Sequence, residues 1–224
     1  MRVAVWIVAA LFVCVACASP QAFSKEWYSQ QRLIQTSADS EPEWMSMKEL
    51  LALREQGVSF MDVTDPRPNV AVPEPPALPN QPQQKLYVHS LIRQLSMTNM
   101  KANVETLSSF HTRFYATETG AKAAEWIHST VSAIASDRSD ISVKFFNSTT
   151  TAPQPSVIAR IEGSQSTDIV ILGSHEDSVH FGPLGRSPGV DDDGSGTVCS
   201  LEVFRVLVSS GFKPNRTVEF HFYA

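Results

Sequence analysis

Ile169-Val170-Ile171-Leu172-Gly173-Ser174-His175-Glu176-Asp177-Ser178 runs from an apolar strand into a polar loop, and Ser187-Pro188-Gly189-Val190-Asp191-Asp192-Asp193-Gly194-Ser195-Gly196 follows closely. Four consecutive apolar residues bounded by polar ones predict a buried strand covered on both faces. Gly196 to Ser209 predicts a helix. Strand, loop and helix in that order put His175 and the acids just past a strand's carboxyl end, where open α/β sheets bind ligands. Imidazole nitrogen and carboxylate oxygen are donors that zinc accepts.

Outward from there the chain alternates. Leu86 to Met97, Asn103 to Phe110 and Gly120 to Ala135 predict helices, the last with Ala123, Trp126, Ile127, Val131 and Ile134 on one face. Ile141 to Phe146, Val157 to Ile161 and Thr217 to Ala224 predict strands. The expected fold is therefore α/β, with a mixed, mostly parallel sheet flanked by helices. The strand from Thr217 to Ala224 has no closing element behind it, and the expectation is a sheet incomplete at the C-terminus.

The first 18 residues read as a signal peptide. Arg2 precedes an apolar run from Val3 to Ala18 with small residues at its exit, shorter than the ~20 residues that span a bilayer. An uncleaved signal anchor and a lipid-anchored Cys17 are the alternatives. Cleavage predicts a secreted, extracellular protein with no membrane association, in which Cys199 alone remains and serves as a small buried core residue. Asn147 and Asn215 head Asn-X-Ser/Thr sequons, so a glycoprotein is expected. Residues 19–65, too short to bury a core alone, are expected either to pack on the rest of the protein or to be a removable N-terminal pro-segment. Its helix is marked by a Ser46–Glu49 capping box and stopped at Gly57, and a short strand follows from Val58 to Val63. Residues 66–84 are a linker, since 7 of the 14 prolines fall between Pro66 and Pro82. Residues 85–224 are the main domain. The formal net charge of −5 has no basic run to offset it, which excludes a nucleic-acid partner; a monomer is expected.

His175 and Asp177 lie two residues apart, on one side of a continuing strand, with Glu176 turned the other way. A ligating imidazole usually gives its second nitrogen to a carboxylate, so the pair suits a metal ligand and its orienting partner. A zinc-protease helix is excluded: His180 comes one residue too late for i,i+4 spacing, and Gly182 and Pro183 break a helix. Asp191, Asp192 and Asp193 repel one another and need a cation or strong donors nearby. Asp191, Asp193, Ser195 and Glu202 fall nearly at calcium-loop spacing. That reading lacks the helix that must enter the loop, because residues 181–189 are rich in glycine and proline.

Together these motifs resemble the secreted zinc aminopeptidases of the M28 family, of leucine aminopeptidase type. Arg113-Phe114-Tyr115, Thr119-Gly120, Ala123-Ala124, Trp126-Ile127 and Thr217 to Ala224 extend the resemblance over residues 85–224. It implies a zinc-exopeptidase-like fold, two zinc ions per complete site, His175 as a terminal ligand, Asp191 as the bridging ligand and Asp177 as the residue that orients His175. It also implies a cis Asp191–Asp192 bond, and removal of leucine-like residues from peptide or protein N-termini by a zinc-activated water. The family's catalytic glutamate and its remaining ligands follow the strand that ends at Ala224, so the 224 residues are expected to be inactive alone. The alternatives are a glutaminyl-cyclase-like zinc enzyme, which the triple aspartate disfavours, and a non-catalytic pseudoenzyme or binding module.

Overall fold

Two sheets organise the chain, a small one before the proline-rich stretch and a larger one after it. The structure is a computed structural model and describes residues 24–65, 80–147, 152–180, 182 and 185–224. The expected signal peptide and residues 66–79 of the expected linker lie outside the described residues. Among the described residues, no helix is long and apolar enough to cross a membrane.

The N-terminal part contains α1 (Lys25–Ser29), β1 (Gln31–Gln35), β2 (Glu43–Ser46), α2 (Met47–Glu55) and β3 (Met61–Asp62). The capping box at α2 forms as expected: Glu49 N donates to Ser46 Oγ at 3.3 Å, and the Glu49 carboxylate accepts from Ser46 N at 2.7 Å. Gly57 follows the helix with φ of 73°, a left-handed position that a glycine enters without strain. The three strands pair in the order β2-β1-β3. β1 and β2 were not expected, and β3 is shorter than the strand predicted from Val58 to Val63. Ile34, Met47 and Leu50 form a small core of their own.

The part after the proline-rich stretch begins with α3 (Lys85–Ile92), α4 (Met97–Ser109) and α5 (Glu118–Ile134). It continues through β4 (Ile141–Phe146), β5 (Ser156–Ile161), β6 (Ser166–His175), α6 (Gly196–Ser209) and β7 (Arg216–Tyr223). The break between α3 and α4 falls earlier than the apolar pattern predicts. Ser96 makes it, its hydroxyl accepting from Asn99 N at 3.2 Å. The α6 bounds match the expectation.

The four-stranded sheet has the order β4-β5-β7-β6. It is mixed, as expected. Its ladders are antiparallel for β4–β5 and β5–β7 and parallel only for β6–β7, so the described strands are not mostly parallel. Helices α5 and α6 cover one face. Ile127 and Val131 of α5, Leu201 and Phe204 of α6, and Ala159, Phe220 and Phe222 of the sheet are nearly inaccessible to solvent and form one core. Phe204 and Phe220 meet edge to face at 5.2 Å. The opposite face carries Arg160, whose Nη1 donates to Glu219 Oε1 at 2.7 Å, and His221 beside Glu219 Oε2 at 2.7 Å.

Two expectations about burial fail. Ile169, Val170, Ile171 and Leu172 are 40–52% exposed, not covered on both faces, because β6 is the outer strand of the sheet. Cys199 is exposed, not a core residue, because α6 turns Val198 and Leu201 inward and leaves position 199 outward.

Glu202 is the buried carboxylate of α6, at 1% exposure. It points away from the acidic loop, which removes it from any calcium-loop geometry. Its Oε1 accepts from Ser96 N at 2.6 Å and from Arg205 Nη2 at 2.6 Å, so it ties α6 to the start of α4. Burial opposes its charged form, but Arg205 and the Ser96 amide outweigh that and hold its pKa below the ordinary carboxylate value. A folded pKa below the unfolded one means that the ionised group contributes stability above the unfolded value of 4.5, and loses it as pH falls through the folded value. Glu202→Gln is expected to lower the unfolding free energy by roughly 2 kcal/mol at neutral pH. In urea titrations the gap from wild type should narrow as the pH falls below 4.5; a gap that stays constant down to acid unfolding would contradict it.

Candidate metal site

The site assembles where β6 ends and α6 begins. β6 is held parallel to β7, with His175 opposite Tyr223, so the sheet sets the height at which the imidazole emerges. Its backbone is tied to the loop across from it. His175 N donates to Asp193 Oδ2 at 3.1 Å, and Thr197 Oγ1 donates to His175 O at 2.9 Å. The other Asp193 oxygen accepts from Gly196 N at 3.0 Å, at the first turn of α6. One carboxylate therefore joins the strand end to the helix start, where an anion is favoured by the exposed amides and the helix dipole.

The imidazole is flanked on both sides. Nδ1 lies 3.0 Å from Asp177 Oδ1, and Nε2 lies 2.9 Å from Asp192 Oδ1. The alternation expected along the strand thus holds: His175 and Asp177 meet, and Glu176 points elsewhere. Burial disfavours the charged imidazole, but Asp177, Asp192 and Asp193 outweigh it and raise the His175 pKa above its ordinary value. The Asp177 pKa is also raised, because burial outweighs the attraction of His175 and Arg113.

Asp191 stands apart from this contact. It is exposed, and its carbonyl accepts from Ser195 Oγ at 2.9 Å. The backbone leaves helical geometry at Asp192, with φ −110° and ψ 100°, which swings that side chain toward His175. The cis peptide is Asp192–Asp193, one bond beyond the position that the resemblance implied. Three identical acids in a row carry no compositional signal that tells which one faces the histidine.

Behind the site are two residues that sequence reasoning did not single out for a role. Glu176 is fully buried. Its Oε1 accepts from Gln154 Nε2 at 3.3 Å, and burial, aided by the neighbouring Asp177, drives its pKa well above the usual carboxylate range. Arg113 is also fully buried, and its guanidinium reaches carbonyl oxygens of the strand exit and the loop entrance. It was legible only as part of the Arg113-Phe114-Tyr115 resemblance.

The donor set suits zinc in kind. Two ligands of one tetrahedral zinc, each at ~2.0–2.2 Å from the metal, stand ~3.3 Å apart. His175 Nε2 and Asp192 Oδ1, at 2.9 Å, need to open by only a few tenths of an ångström. The Asp192 side chain is 89% exposed and free to make that shift. Among the described residues no group of three or more His, Cys, Asp or Glu is placed to hold a metal, so the set is short in number.

Comparison with known proteins agrees with this arrangement. Residues 156–224 match the model of Peptidase family M28. The chain is 37% identical over 202 residues to Leucine aminopeptidase 1 of Metarhizium robertsii, covering 86% of this chain and 51% of that protein. It is 40% identical over 198 residues to Leucine aminopeptidase 1 of Emericella nidulans, covering 81% and 50%. LapB from Legionella pneumophila superposes with a TM-score of 0.71 at 25% identity, over 87% of this chain and 57% of that one. LapA aminopeptidase from the same organism superposes with a TM-score of 0.70 at 21% identity, over 87% and 56%. The class defined here is a mixed α/β fold of zinc-exopeptidase type. Within it, residues 156–224, which carry β5 to β7 and the acidic loop, match the M28 peptidase family. It spans about half the length of the curated relatives it matches.

Asp193→Ala removes the acceptor shared by His175 N and Gly196 N. It is expected to destabilise the chain by ~1–2 kcal/mol and to speed exchange of the His175 and Gly196 amides. Unchanged amide exchange would show that the carboxylate is not what joins strand and helix.

Proposed function

We propose that the chain carries part of the active centre of a secreted metallo-aminopeptidase that removes leucine-like residues from peptide N-termini. The observation that supports it best is the His175 imidazole held between Asp177 and Asp192, at 3.0 and 2.9 Å. His175 serves as a terminal zinc ligand through Nε2. Asp177 accepts the Nδ1 proton and so fixes the tautomer that leaves Nε2 free to ligate. Asp192, the aspartate beside Nε2, would hold zinc together with His175, in place of the Asp191 that the resemblance implies. Bound zinc, when present, supplies Lewis acidity toward the peptide carbonyl and a readily deprotonated water.

The same reading covers the parts outside the site. Residues 1–18 direct export, residues 19–65 act as a pro-segment, and the exposed Asn147 and Asn215 are glycan acceptors.

A chimera gives the direct test. Residues 1–224 are joined to the C-terminal half of the Emericella nidulans relative and assayed on a leucyl anilide. Hydrolysis is expected to fall by at least ~10²-fold in His175→Ala and Asp192→Ala and to survive in Asp191→Ala. Loss in Asp191→Ala with retention in Asp192→Ala would reverse the ligand assignment. A folded, zinc-loaded chimera with no hydrolysis would remove the aminopeptidase reading. The 224 residues alone, with two donors against the four zinc ordinarily takes, are expected to bind zinc weakly in calorimetry.

A further inference from the structure

Arg113 is an uncommon residue to find wholly enclosed, since a buried guanidinium normally meets a carboxylate. Here its donors go to backbone carbonyls. Nε donates to Glu176 O at 2.7 Å, Nη1 to Pro188 O at 2.5 Å and to Leu107 O at 3.3 Å, and Nη2 to Gly189 O at 3.0 Å. Its own backbone is fastened to the same place. Arg113 N donates to Ser178 Oγ at 3.1 Å, and Ser178 Oγ donates to Ser187 O at 2.7 Å.

The partners of this fork belong to the two segments that carry the two zinc donors. Glu176 is the neighbour of His175, and Gly189 opens the loop that presents Asp192. No backbone hydrogen bond between residues 176 and 189 would be needed if the fork spans them, and the planar guanidinium holds its three nitrogens at fixed separations. Its charge also lies near Asp177, Glu176, Asp193 and Asp192, whose mutual repulsion it offsets.

We infer that Arg113 is a positioning residue: its buried fork joins the end of β6 to the entrance of the acidic loop and so sets the separation of His175 Nε2 from Asp192. This rests on the proposed zinc site and adds to it the residue that holds the donors in place. A lysine cannot substitute, because an ammonium is a point donor and cannot span Glu176, Pro188 and Gly189 together. Gly189→Ala disturbs the fork from its acceptor side. A Cβ there would lie 2.8 Å from Arg113 Nη2 and 2.6 Å from Ser178 Cβ, at a backbone φ of +50°, and would also meet Asp192 O at 2.8 Å.

The experiment compares Arg113→Lys, Gly189→Ala and wild type with Val131→Ala, a core variant remote from the loop that sets the reference for general destabilisation. Zinc alone is titrated into the chimera of residues 1–224 with the C-terminal half of the Emericella nidulans relative while the His175 imidazole resonances are followed, and amide exchange is measured without metal. The expected result is a loss of at least ~10-fold in zinc affinity for both Arg113→Lys and Gly189→Ala, with native circular dichroism. Faster exchange at the His175 and Gly194 amides should accompany it, and Val131→Ala should show neither effect. Wild-type affinity in Arg113→Lys, or an equal loss in Val131→Ala, overturns the inference. Should Arg113→Lys fail to fold, Gly189→Ala decides by the same criteria. Should wild type show no response of His175 to zinc, the metal-site reading falls, and amide exchange alone decides whether the fork positions the loop.

Discussion

A buried guanidinium joins the strand exit to the entrance of the acidic loop, beside the Asp193 carboxylate that ties the same strand end to the start of α6. Strand β6, the loop that follows it and the acidic loop before α6 are separate in sequence, and loops joined only at their ends do not hold donors to within tenths of an ångström. Arg113 brings them together through carbonyl oxygens of Glu176, Pro188 and Gly189. Burying a charge away from water is tolerable only where its donors are satisfied, and the fork meets that condition while leaving the nearby carboxylates unsequestered. A direct Arg113–Asp177 pair would neutralise the aspartate that the imidazole needs. The arrangement instead gives Asp177 to His175 at 3.0 Å.

The acids around His175 divide their work by burial. Asp192 is 89% exposed and stands on the solvent side of the imidazole. Asp193 is half-buried and spends both oxygens on backbone amides. Glu176 is fully enclosed, and burial, aided by Asp177, raises its pKa well above the usual carboxylate range. The four carboxylates thus divide into one exposed group beside the imidazole, one partner of its Nδ1, one acceptor for backbone amides and one enclosed behind the site. The repulsion that made the triple aspartate conspicuous in the sequence is resolved by geometry, even before any cation is considered.

Much of this was legible from the chain alone, and the failures have physical causes. The α6 helix, the Ser46–Glu49 cap and the His175–Asp177 pair followed from local rules, because each depends on residues within one or two turns of each other. Which aspartate stands beside His175 Nε2 did not, since it depends on a backbone departure from helical geometry that three identical side chains cannot announce. The start of α4 was misplaced because Ser96 is held by Glu202, a partner 106 residues away. β1 was missed because Gln31, Arg32 and Gln35 dilute its apolar pattern, and its strand character comes from pairing on both sides with β2 and β3.

The strand that presents His175 is an outer, poorly covered strand of the larger sheet. Ile169 to Leu172 were expected to be held by packing on both faces, yet all four are 40% exposed or more. The position of the imidazole therefore cannot derive from enclosure of β6. It derives from one parallel ladder to β7, which fixes the strand's height, and from polar ties at its end, where Asp193, Thr197 and Arg113 hold the backbone of residues 175 and 176. Hydrophobic burial is non-directional and would leave the strand end free to slide or fray. Directional bonds at the exit restrict it in the one place where a shift would separate the donors. The precision of the site thus resides in its hydrogen-bonded rim, while the apolar core beneath α5 and α6 supplies the stability on which that rim is mounted.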